Sequence, residues 1–71
     1  MKDDLDAAEF HSTKALEIEP HFGPALNNLA LVALERGQYE KAQEFVDKAR
    51  ATGYEPHPDL VGEIKAKLAG A

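Results

Sequence analysis

Residues 30–46 read ALVALERGQYEKAQEFV, a run of good helix formers interrupted only by Gly37. Glycine in a helix interior costs about 1 kcal/mol relative to alanine, so the run is one defective helix or two helices meeting at a turn. The rest of the chain favours the turn. Four Pro and five Gly fall mostly in clusters that divide the sequence into four segments. Asp3, Asp4 and Asp6 suit the start of a first helix, and Pro20 follows its end. In GPAL, Gly23 is expected to cap a second helix and Pro24 to occupy its first position. Gly37 can take the left-handed conformation that stops this helix, and Gly53 can stop the third, in which Glu44 and Lys48 form an expected i,i+4 pair. HPDL opens a fourth, with Asp59 and Glu63 near its start and Lys65 and Lys67 near its end. No segment alternates with a period of two, so no strand is expected. The pattern predicts helices over about 4–17, 24–36, 38–51 and 58–69, within a single domain of residues 1–71. The connection at Gly37 and Gln38 is so short that the helices flanking it must pack as a hairpin.

Composition limits what such a domain can do. Thirteen acidic residues against eight basic ones give a net charge of −5, which disfavours a phosphate backbone as partner. The absence of cysteine excludes disulfides and thiolate metal sites. No apolar run approaches the roughly 20 residues that span a bilayer, and MKDDLDAAEF is too acidic for a secretion signal. A cytoplasmic chain with no membrane insertion is the expectation.

The helices also repeat. Tyr39, Ala42, Val46 and Ala49 have the same spacing as Leu5, Ala8, Ser12 and Ala15, offset throughout by 34 residues. IEPH at 18–21 returns as YEPH at 54–57, offset by 36. A period of 34 with one helical hairpin per unit marks a helical solenoid. On these residues the chain resembles the tetratricopeptide repeat family. The first-helix pattern reads Leu26, Leu29-Ala30 and Ala33, the turn Gly37-x-Tyr39, and the second helix Ala42, Val46 and Ala49. The preceding unit supplies Ala8, Ala15-Leu16 and Pro20, and the register covers residues 4–56. Leu26 stands where the family has Trp, Ala30 where it has Gly, Ala33 where it has a large residue, and Ser12 and Val46 replace aromatics. The fold expected is therefore an all-α antiparallel helix-turn-helix solenoid of tetratricopeptide type. It would hold about one and a half repeats and a C-terminal capping helix whose apolar stripe is Leu60, Val61, Ile64 and Leu68.

The resemblance implies a non-enzymatic protein–protein interaction module with a concave groove lined by first helices, binding a peptide or partner protein. On the second helix Asn27, Leu31 and Leu34 would face that groove, with Asn28 and Glu35 beside them. The two Asn can both donate and accept hydrogen bonds. The competing reading is that Leu31 and Leu34 pack against the fourth helix. Asn28 matches an Asn with which some members clamp a C-terminal carboxylate. Asn27 and Leu31 occupy the positions of its other clamp residues, so the clamp is not expected. At the other end, Leu5, Ala8 and Phe10 lack an evident cover, and Phe10 falls where the third helix carries Glu44, a solvent position. Closure by self-association, as a homodimer through the first helix, is the alternative role.

Other chemistry finds little support. His11, His21 and His57 include no i,i+4 pair and no HExxH, so neither a metal site nor acid–base catalysis is expected. No phosphate-binding glycine loop or nucleophile–base set points to an enzyme or a cofactor. A DNA-reading helix-turn-helix would present QYEKAQEFVDKAR, whose three carboxylates balance its three cations, a poor phosphate binder.

Overall fold

The computed structural model describes residues 2–70, with side chains from Asp4 onward. Four helices follow one another: α1 (Lys2–Ile18), α2 (Gly23–Glu35), α3 (Tyr39–Ala51) and α4 (Pro58–Gly70). No strand occurs among the described residues. Each helix packs on the next along the chain, and α4 also reaches back to α2.

Gly37 ends α2 with φ +79°, the left-handed conformation in which a Cβ is disfavoured. The reversal closes with two hydrogen bonds: Gln38 N–H donates to Ala33 C=O at 2.8 Å, and Gly37 N–H to Leu34 C=O at 3.0 Å. The end of α3 repeats this arrangement. Gly53 has φ +91°, Gly53 N–H donates to Arg50 C=O at 2.9 Å, and Tyr54 N–H to Ala49 C=O at 3.3 Å. In both turns the carbonyls left over at a helix end are satisfied by a backbone that only glycine adopts cheaply.

Small residues bring the helices together. Ala30 and Ala33 on α2 and Ala42 on α3 are buried with Leu34, Val46, Leu60 and Ile64, and Tyr39, Phe45 and Val61 pack around this cluster. A methyl side chain at a helix contact allows close axial approach, and Val46 fills the space beside Ala42, both 0 % exposed. On α2 the buried set runs through Ala25, Leu26, Leu29, Ala30, Val32, Ala33 and Leu34, because α1, α3 and α4 all pack against it. A helix in contact on three sides has to be apolar around most of its circumference.

The start of α2 departs from the sequence expectation. Phe22, not Gly23, is the N-cap, and its C=O accepts from Ala25 N–H at 3.2 Å and Leu26 N–H at 3.3 Å. Gly23 is the first helical residue and Pro24 the second. The need for glycine lies elsewhere, because a Cβ at Gly23 would collide with Cβ and Cγ of Tyr54, in the connection from α3 to α4. The expected Glu44–Lys48 pair is also not among the ion pairs of the described residues; Lys48 Nζ instead sits 5.6 Å from the centre of the Phe45 ring. That placement covers an apolar face and uses the ring's electron-rich surface.

Arg36 ties α1 to the end of α2. Its guanidinium donates to Glu9 Oε1 at 2.8 Å and to Asp6 Oδ1, two carboxylates three residues apart on one face of α1. The hydrogen bond to Glu9 is the main reason that the Arg36 pKa rises above its ordinary value; the nearby charges of Glu9 and Asp6 add to it. Two hydrogen-bonded carboxylates on one planar fork make this a directional contact. It links the two helices beside their packed faces.

Candidate functional site

A cleft of about 290 Å³ opens between α2 and α4. Asn27 and Leu31 form one wall, His57, Asp59 and Glu63 the other, and the buried Leu34 and Leu60 the floor between them. The two helices run in the same sense, with Asn27 beside His57 at one end and Leu34 packed with Leu60 and Ile64 towards the other. Antiparallel packing of α3 against both helices brings this about, since two successive reversals restore the direction.

The residues singled out from the sequence take different places here. Leu34 is 6 % exposed and belongs to the core, forming the floor of the cleft. Leu31 is 46 % exposed, and its side chain stands on the open wall. They are only three positions apart, but Leu34 belongs to the cluster that it shares with α3 and α4 residues and Leu31 does not. Asn27 is half-buried, and its Oδ1 accepts the backbone N–H of His57 at 3.3 Å. It therefore fastens the loop that leads into α4, with its amide NH2 still available to donate into the cleft. Asn28 and Glu35 are exposed on α2 and lie outside the residues that line the cleft.

The α4 wall comes from residues that sequence reasoning did not place in the site. His57 precedes the helix, and its Nδ1 accepts the backbone N–H of Asp59 at 3.2 Å. The side chain thus satisfies one of the free donors of the first turn of α4, in the manner of an N-cap. Asp59 and Glu63 lie one turn apart on one face of α4, and the buried Leu60 turns towards the core beside them. The sequence does contain the signal. Leu60 stands 34 residues after Leu26, and Ile64 34 after Ala30, so α4 occupies the next first-helix position.

On α1, Leu5 and Ala8 are half-buried and Phe10 is 58 % exposed. His11 meets the Phe10 ring edge to face at 5.6 Å between centroids, and Lys14 Nζ lies 5.5 Å from the ring centre. Among the described residues, no group of three or more His, Cys, Asp or Glu is arranged to hold a metal ion.

The family model for the tetratricopeptide repeat matches residues 1–68. The chain belongs to the tetratricopeptide repeat family. The match spans the first three helices and most of α4, and the parallel α2 and α4 joined through α3 are the arrangement expected of successive repeat units. Tetratricopeptide repeats generally mediate protein–protein interaction and are non-catalytic. No solved structure matches the chain. No helix among the described residues is long and apolar enough to cross a membrane.

Proposed function

We propose that this tetratricopeptide domain is a protein-interaction module whose cleft between α2 and α4 takes a peptide segment of a partner protein. The observation that carries the reading is Leu31, a large apolar side chain 46 % exposed in the cleft beside the buried Leu34 and Leu60. Covering an aliphatic side chain contributes about 25 cal/mol per Å² removed from water, so Leu31 is the natural anchor of the contact. Leu34 and Leu60 supply an apolar floor and Asn27 offers a donor to a peptide carbonyl, while Asn28 and Glu35, exposed on α2, are open to a longer partner. The test is a displayed peptide library selected on the domain, followed by NMR mapping of the selected peptides. Shifts should cluster at Asn27, Leu31 and Leu60. Leu31→Asp should abolish binding while melting stays nearly unchanged, because the side chain is half in water. Peptides that bind Leu31→Asp as well as the wild type would sink the reading.

A second reading, self-association through α1, is supported by Phe10, a large apolar residue more than half exposed, with Leu5 and Ala8 half-buried on the same helix. A two-fold pairing of α1 with its copy through the Phe10 face would cover this ring, while Leu5 and Ala8, on the other side of the helix, would lie at its margin. Sedimentation should then show mass rising towards a dimer with concentration, and Phe10→Glu should reverse it. A strict monomer at millimolar concentration excludes this arrangement.

A further inference from the structure

The walls of the cleft differ in charge as well as in shape. Its lining includes two carboxylates, Asp59 and Glu63, and no Lys or Arg. Lys67, one turn further along α4, lines a separate hollow beside Tyr39 and Glu40. The His57 imidazole is engaged at Nδ1 by the Asp59 backbone N–H, so it is committed to the start of α4. The α2 wall opposite offers Asn27 and Leu31, which carry no charge. The cleft is thus acidic along one side, uncharged along the other, and set in a domain of net charge −5.

We propose that the cleft selects an extended segment of a partner protein in which one large apolar residue is flanked on both sides by Lys or Arg. This rests on the reading of the cleft as the partner site. Spacing supports it. Asp59 and Glu63 are four residues apart, a rise of about 6 Å along α4. Residues i and i+2 of an extended chain project to the same side about 6.6 Å apart. A strand lying along the cleft therefore sets two alternate side chains against the two carboxylates and turns the residue between them towards Leu31. Lys and Arg satisfy the acidic wall with point charges or a planar fork, and a Leu, Met or Phe between them meets Leu31 and the apolar floor. An acidic segment would meet carboxylates at both positions and be repelled.

Fluorescence anisotropy with three labelled, end-capped heptapeptides tests this, the central three residues being Lys-Leu-Lys, Lys-Ser-Lys or Glu-Leu-Glu. Lys-Leu-Lys should bind best, Lys-Ser-Lys about tenfold more weakly, and Glu-Leu-Glu not measurably. Neutralising the wall with the double variant Asp59→Asn, Glu63→Gln should weaken Lys-Leu-Lys about tenfold, and added salt should weaken it for the wild type. The control double variant Glu44→Gln, Asp47→Asn removes the same charge from the exposed side of α3 and should change affinity less than twofold. Equal losses from both double variants would show attraction to net charge alone and overturn the proposal, as would absence of Lys-Leu-Lys binding at millimolar peptide. Leu31→Ala separates the two levels of the argument without adding charge. If Glu-Leu-Glu binds and Leu31→Ala removes that binding, the cleft remains the partner site and the basic specificity falls. If Lys-Leu-Lys binding survives both Leu31→Ala and neutralisation of the wall, both readings fall.

Discussion

Replacing Gly23 with alanine separates helix propensity from packing. Gly23 is the first residue of α2, and on propensity alone an alanine there would stabilise the helix by up to about 1 kcal/mol. The structure predicts the opposite sign. The new Cβ would fall on Cβ and Cγ of Tyr54, far inside van der Waals contact. Rotating the Tyr54 side chain moves its Cγ but leaves its Cβ fixed to the backbone, so relief requires the α3–α4 connection to shift away from α2. Overpacking of this kind costs about 1–3 kcal/mol, which outweighs the propensity gain. A net loss of about 1–2 kcal/mol is expected, a fall in Tm of roughly 5–15 °C for a domain of this size. Urea denaturation followed by far-UV circular dichroism measures the loss directly. The partner residue supplies the control. In a Tyr54→Gly background both clashing atoms are gone, and Gly23→Ala should become neutral or mildly stabilising. In a Tyr54→Ala background the Cβ remains, and most of the penalty should persist. A wild-type background in which Gly23→Ala is neutral or stabilising would refute the close approach.

Four further expectations follow from named residues. Gly37→Ala should destabilise by about 1–2 kcal/mol because φ is +79°, although a Cβ there meets nothing within 4 Å, so the cost is one of backbone conformation. Gly62→Ala, at an exposed helical position with equal room, should instead stabilise by about 1 kcal/mol in the same denaturation assay. Leu34→Ala should cost about 2–5 kcal/mol as a core truncation, whereas Leu31→Ala should cost well under half of that; equal losses would place Leu31 in the core. Arg36→Gln should lower Tm and flatten its dependence on salt, since wild-type α1 is held through exposed charges that salt screens. A salt response identical in variant and wild type would show that the Asp6 and Glu9 contacts do not hold α1.

Much of this protein is written locally along its chain. Gly37 and Gly53 stop helices because each is the one residue nearby that adopts a left-handed backbone cheaply, a property that needs no tertiary neighbour. The four helices and their hairpins follow from that punctuation, and the 34-residue recurrence of Leu5, Ala8, Ser12 and Ala15 as Tyr39, Ala42, Val46 and Ala49 points to the repeat family. The near-continuous apolar surface of α2 is legible too, but not what covers each part of it. Leu31 and Leu34 are equivalent as letters; the crossing of α3 and α4 over one side of α2 buries the second and leaves the first on a wall of the cleft. Gly23 looks like a cap until Tyr54, 31 residues later, is brought against it. Arg36 looks like an ordinary surface cation until α1 presents Asp6 and Glu9 to it across about 30 residues of chain. The acidic wall of Asp59 and Glu63 faces Asn27 and Leu31 only because two antiparallel turns lay α4 alongside α2. Backbone preference acts within a few residues and survives in the sequence, whereas side-chain contact depends on helix rotation and crossing, which packing of the whole core decides.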